Sequence, residues 1–210
     1  MSARPLLVAA VMDPCERPVL ARAARHLGAA LEAAGRPPAE VRVTFLDSLA
    51  AAARGDAPDF AVVSLLPELW GDEPVAAVDA RWRAALQALP AAWPPVLVCT
   101  IFRHVDPTLP PDRREALRER IRRLALCAIE ISHDTGANVI DLDRTLAHVG
   151  GRPLASDCRF QSEAAIEVAA RTVVRAILAL GQDAAIDPDI AARAETLVGA
   201  PWDLSPAPRA

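Results

Sequence analysis

Five short stretches carry the side chains that could do chemistry. They are 12–16 (Asp13, Cys15, Glu16), 67–72 (Glu68, Trp70), 102–106 (Arg103, His104, Asp106), 141–144 (Asp141, Asp143) and 156–160 (Asp157, Cys158, Arg159, Phe160). A thiol near a helix start can act as a nucleophile, because the unpaired N–H groups there favour the thiolate. It then needs an imidazole to take its proton and a carboxylate to orient that imidazole. Cys15 and His104, with Asp157 or Asp106 as the orienting acid and Asp13 beside the thiol, form the set that could do this. Each has a plainer reading. Cys15 can be a small residue filling a turn, and His104 a loop histidine bonded to a carbonyl. The acids Asp13 and Glu16 that flank Cys15 disfavour a thiolate. His26, His133 and His148 fall on helix faces or a loop and read as surface residues.

Asp13, Asp72, Asp106, Asp141 and Asp157 could gather around a hard cation. No spacing among them is diagnostic, and Asp143-Arg144 next to Asp141 suggests internal salt bridges instead. No metal and no cofactor are expected. Glu68, Trp70, Arg103, Arg159 and Phe160 are the candidate ligand contacts, since Trp and Arg are enriched in binding hot spots. Trp70, and Trp202 in the tail, can equally pin their own loops.

Composition removes several chemistries. The chain has no lysine and no tyrosine, which excludes Schiff-base, lysine-base and Walker-lysine mechanisms. A net charge of −4 gives no global field to attract nucleic acid or an anionic membrane. No GxGxxG, GxxxxGK[ST] or GxSxG motif occurs. Cys15, Cys99, Cys127 and Cys158 are scattered without a CxxC pair, as for thiols in a reducing cytosol. The apolar run 6–11 is too short for a signal-peptide core or a bilayer span. A cytoplasmic protein is expected.

These stretches need a scaffold to bring them together. Apolar runs at 6–11, 41–46, 60–66, 96–101 and 139–140 read as strands. Helical spacing joins Leu20, Ala24, Leu27 and Leu31; then Val78, Trp82, Ala85 and Leu89; then Leu117, Ile121, Leu124, Ala128 and Ile131; then Ile166, Ala170, Val173, Ile177 and Leu180. Near-continuous apolar strands are buried on both faces, and alternation with helices implies right-handed crossovers and a parallel sheet. The expected fold is a three-layer α/β/α sandwich with a five-stranded parallel sheet of flavodoxin-like order 2-1-3-4-5. One domain is expected over 1–182. Residues 183–210 form an extension with a short helix near 190–197 and a Pro-rich tail. In such a sheet the five stretches all lie at the carboxyl ends of strands, where ligands bind.

The order of elements, the segment Asn138-Val139-Ile140-Asp141-Leu142, and the run from Leu154 through Asp157-Cys158-Arg159-Phe160 to Ala165 resemble the SGNH (GDSL-type) hydrolase family. The resemblance covers roughly 5–180. It implies a serine nucleophile after the first strand, oxyanion-hole glycine and asparagine after the second and third, and a D-x-x-H base before the last helix. This sequence places Pro14 at the serine, Asp47-Ser48 and Leu66-Pro67-Glu68 in the oxyanion regions, and Phe160 at the histidine. Asp13 and Asp157 match. The expected function is a non-hydrolytic binding or accessory role on a hydrolase fold, toward an acyl or glycan-like small molecule or a protein partner. The alternative is an ester hydrolase or acyl-transfer enzyme rebuilt on Cys15, His104 and Asp157. A purely structural subunit is a third reading.

Overall fold

A computed structural model describes residues 4–38, 40–52, 57–90, 93–180 and 185–203. Five strands, β1 (Leu6–Val11), β2 (Val41–Phe45), β3 (Phe60–Ser64), β4 (Val96–Cys99) and β5 (Asn138–Ile140), form one sheet in the order β2-β1-β3-β4-β5. All four pairings are parallel, with Leu6 opposite Val41, Val8 opposite Phe60, Ala61 opposite Val96 and Leu97 opposite Asn138. β3 and β4 are buried along their whole length, and β2, at an edge, alternates half-buried and exposed residues. The expected architecture and strand order are those observed.

The helices are α1 (Arg17–Ala33), α2 (Leu49–Ala52), α3 (Val75–Gln87), α4 (Pro111–Thr135), α5 (Leu142–Val149), α6 (Gly151–Leu154), α7 (Glu163–Leu180) and α8 (Pro188–Val198). Because strand side chains alternate between faces, Val8, Ala10, Phe60, Val62, Leu97 and Cys99 pack with α1, α7 and α8. Ala61, Val63, Val96 and Val98 pack with α3 and α4. Burying a Leu, Val or Ile side chain contributes about 1.5–3 kcal/mol, so two apolar layers back to back dominate the stability of the sandwich.

Local sequence sets the helix ends. Gly136 takes the left-handed conformation (φ 74°) that stops α4, a geometry that strains any residue with a Cβ. Asp141 caps α5 by accepting from the Arg144 N–H, and Asp187 caps α8 through the N–H groups of Asp189 and Ile190. Two readings shift. The buried line of α3 runs through Val75, Val78, Trp82 and Leu86, leaving Ala85 exposed. The larger Leu86 takes the core place at the same four-residue step. Residues 142–154, to which the sequence reading assigns no element, form α5 and α6. α6 is too short to show a helical period; α5 carries one in Leu142, Leu146 and Val149, but Gly150, Gly151 and Pro153 beside it look like breakers. The helix expected near 190–197 is α8, and it packs on α1 and α7 through Ala191 and Ala194, both fully buried. The expected boundary at 182–183 and the last seven residues lie outside the described residues. No described helix is long and apolar enough to cross a membrane.

Candidate functional site

The turn after β1 sits at the sheet's topological switch point, between β2 and β3. Asp13 caps it, its Oδ1 accepting from the Cys15 N–H at 2.9 Å, while the Asp13 N–H donates to Glu16 Oε2 at 3.0 Å. This reciprocal capping box leaves Glu16 pointing inward, 4% exposed. Its Oε1 accepts from the Ser64 hydroxyl at 2.7 Å, and Ser64 Oγ accepts from the Leu66 N–H at 3.1 Å. One buried carboxyl therefore ties the turn after β1 to the turn after β3. Burial pushes the Glu16 carboxyl up to about 7, against the opposing hydrogen bonds from Ser64 and Asp13. The Cys15 thiol is raised well above the ordinary thiol range, first by burial and then by its hydrogen bond to Asp13 and the charges of Asp13 and Glu16. It stays protonated at neutral pH.

At the ends of β4 and β5 the polar groups pair with one another. Asp157 is 6% exposed, and Arg159 folds back over it. The Arg159 N–H and Nε donate to Oδ1 at 2.8 and 3.1 Å, Nε donates to Oδ2 at 2.9 Å, and Nη2 donates to Oδ2 as well. Arg159 Nη2 also lies 3.5 Å from Asp106 Oδ2. The Asp106 carboxyl is held below its usual range, chiefly by hydrogen bonds from the Thr108 hydroxyl and N–H. Arg103 forks onto Asp143 through Nε at 2.9 Å and Nη2 at 2.6 Å, with its backbone N–H on the same carboxylate. His104 is exposed, its ring stacked on Phe102 with centroids 5.3 Å apart. It covers Gly151 so closely that a Cβ there would clash with the imidazole at Nε2. The His104 carbonyl accepts from the Cys158 N–H at 3.0 Å, which fixes the Asp157 loop to the loop after β4.

The sequence candidates thus divide between two clefts. A smaller one, about 380 Å³, opens at the ends of β1, β2 and β3 and is lined by Asp13, Arg17, Asp47, Ser48, Glu68 and Arg81, among others. A larger one, about 1030 Å³, lies between α4, the loop after β4 and α6; Arg103, His104, Asp106 and Asp157 line it. Cys15, Trp70, Arg159 and Phe160 line neither cleft. Among the described residues no hydrogen bond or ring contact joins Cys15 to His104, and of the two only His104 lines a cleft. Phe160 takes a left-handed backbone (φ 54°) and buries its ring in the core beside α1 and α7. Glu68 is a structural hub. It accepts from Trp82 Nε1 at 2.9 Å and Arg81 at 2.7 Å, and its carbonyl accepts both Arg120 donors. Trp70 is 46% exposed. Among the described residues no group of three or more His, Cys, Asp or Glu is placed to hold a metal.

Two features escaped the sequence reading. The Asp13–Glu16 spacing is the D-x-x-E form of a capping box and could have flagged Glu16. Leu126 and Ile129 lie off the buried line of α4 and could have flagged its outer face.

No family model and no curated protein matches the sequence. Solved structures do match its fold. The acetyl xylan esterase Axe2 of Geobacillus stearothermophilus, as its W215I variant, superposes with a TM-score of 0.60 at 14% identity, over 88% of this chain and 98% of that one. The lipase/acylhydrolase of Enterococcus faecalis gives 0.58 at 17%, over 82% and 95%. A protein of Slackia heliotrinireducens assigned as an SGNH hydrolase gives 0.56 at 18%, over 81% and 97%. The chain has the SGNH-hydrolase fold.

Proposed function

We propose that this protein is a non-hydrolytic binding or accessory protein built on the SGNH-hydrolase fold, acting in a reducing, cytosolic compartment. The observation that carries the reading is the state of Asp157. In a serine hydrolase the corresponding aspartate orients an imidazole; here its carboxylate is occupied by Arg159, and the position of the imidazole is a phenylalanine buried in the core. Pro14 stands where the nucleophile belongs and supplies no hydroxyl. A nucleophile, a base and an oxyanion hole act as a unit, and loss of the first two removes the acyl-transfer route.

The rearranged thiol mechanism has less support. The Cys15 thiol is held protonated, and His104 lines the larger cleft, which Cys15 does not. The ligand is a small acyl or glycan-like molecule or a protein. The purified protein is expected to show no turnover of short-chain aryl esters and no labelling by serine-directed phosphonates. Stoichiometric phosphonate labelling of a serine in either cleft, with ester turnover lost on its replacement, would reverse the reading.

A further inference from the structure

The outer face of α4 is not uniformly polar. Leu126 and Ile129 are 59% and 56% exposed, and no other described helix exposes two large apolar side chains. With Arg118, Arg122 and Ala125 they form one wall of the larger cleft. Positions 118, 122, 125, 126 and 129 follow helical spacing, so basic and apolar side chains form one continuous stripe of about 16 Å, three turns. The opposite wall is the His104 loop and Gly151-Arg152. Small-molecule sites enclose most of their ligand. This trough, with its apolar wall more than half exposed, does not. It has the length and the open side that an amphipathic helix laid in a groove requires. Being walled on both sides, it is ill shaped to lie flat on a bilayer.

Charge indicates the occupant. Residues 112–123 hold six arginines against three carboxylates, in a chain of net charge −4, and of these Arg118 and Arg122 line the trough. The carboxylates that line it, Asp106, Asp143 and Asp157, are paired with Arg103 and Arg159. Arg114 and Arg120 donate to backbone carbonyls of Pro107 and Glu68, which leaves their charge uncompensated. Arg118 and Arg122 meet only the exposed Glu115 and Glu119, at 3.2–3.6 Å, and such pairs hold weakly. Arg113, Arg123 and Arg152 have no carboxylate within ion-pair distance among the described residues.

We propose that the trough docks an acidic amphipathic helix of a partner protein. Its apolar side chains would lie on Leu126 and Ile129 and its carboxylates on Arg118, Arg122 and Arg152. This rests on the binding-protein reading and gives that reading a surface and a partner chemistry.

The test titrates the full chain into a fluorescein-labelled peptide of about 18 residues, long enough to span the stripe, built from Leu and Glu in an amphipathic helical pattern. A scrambled peptide of equal composition, phosphatidylcholine–phosphatidylglycerol vesicles and dodecanoate are the other arms. The patterned peptide is expected to bind with a Kd of about 1–100 μM, the range of small transient interfaces, and to weaken as salt rises. Leu126→Ser/Ile129→Ser and, separately, Arg118→Glu/Arg122→Glu should each weaken it at least about tenfold. These side chains are exposed, so an unchanged Tm shows that the fold survives. A photo-crosslinker on the peptide should map to α4. No binding below about 1 mM, the weak end of measurable affinity, equal binding of the scrambled peptide, or wild-type affinity in both variants overturns the proposal. So does preferential binding of vesicles or of dodecanoate. If the peptide fails while the protein stays inert to esters, only the docking surface falls. If ester turnover appears, the non-hydrolytic reading falls whatever the peptide does.

Discussion

At the scale of single residues, the site is defined by what each reactive group is already bonded to. A thiolate is the reactive form of cysteine, so reactivity follows the surroundings rather than the residue type. Cys15 has a turn N-terminus nearby, which favours the thiolate, but burial and the carboxylates of Asp13 and Glu16 oppose it and prevail. Alkylation of Cys15 by iodoacetamide at pH 7 should therefore be slower than that of a free thiol of pKa about 8.5. Peptide mapping of the modified protein against time measures this. A Cys15 rate well above that of a model thiol, reduced by His104→Ala, would restore the thiol–imidazole pair. Asp157 illustrates the same rule. Its type and its place before α7 were legible in the sequence, but its partner was not. Nothing in the order Asp-Cys-Arg-Phe says that Arg159 rather than Phe160 turns toward the carboxylate. The left-handed backbone at Phe160, which sends the ring to the core and the guanidinium to Asp157, is a tertiary outcome.

At the scale of elements, the turns after β1 and β3 are joined through Glu16, and the join depends on protonation. An ordinary glutamate titrates near 4.5, and Glu16 near 7. A carboxyl whose value is raised on folding binds its proton more tightly in the native state. Its contribution is therefore most favourable at acid pH, declines as pH rises from about 4.5 to about 7, and is constant above. The difference corresponds to about 3 kcal/mol. When neutral, Glu16 can donate to Ser64 Oγ, so the tie to β3 persists without the buried charge. Glu16→Gln should match the wild type in urea unfolding near pH 4.5 and exceed it by up to about 3 kcal/mol at pH 8. A wild-type protein whose stability does not fall relative to the variant across that interval would refute the assignment. The elements show where sequence reading works. The five strands and the four long helices were legible, because each carries enough apolar residues at one period to be counted. α6 was not, since a single turn leaves no period, and the short apolar line of α5, Leu142, Leu146 and Val149, is masked by the glycines and proline that follow it. The trough was illegible for a different reason. Leu126 and Ile129 look like spare core residues until the packing shows that Leu124, Ala128 and Ile131 already fill the core.

At the scale of the whole molecule, the proposed function amounts to a hydrolase fold in which the parts that hydrolyse are replaced by parts that pack. That is physically coherent because the two are separable: the sheet and its helices are held by the two apolar layers, to which the catalytic positions of an SGNH enzyme contribute little. On that reading one such position has been absorbed into the core. Phe160 is 5% exposed against the α1 and α7 side, so reversal is costly. The double variant Pro14→Ser/Phe160→His restores the two missing residue types in the chain but should not restore activity. A histidine at 160 would inherit a backbone that aims its side chain into the core. A buried polar ring without partners, in place of a packed phenyl, costs about 2–4 kcal/mol. Asp157 could not orient it, being already held by Arg159. Adding Arg159→Ala frees the carboxylate but not the backbone, and the oxyanion regions still offer Asp47-Ser48 and Pro67 in place of glycine and asparagine. The double and triple variants are thus both expected to be less stable than the wild type and to hydrolyse p-nitrophenyl acetate no faster than it does. Phosphonate should not label position 14. Time-dependent labelling at that position, together with turnover that requires the change at 160, would mean that the fold still holds a latent hydrolase site and that its loss rests on two side chains alone.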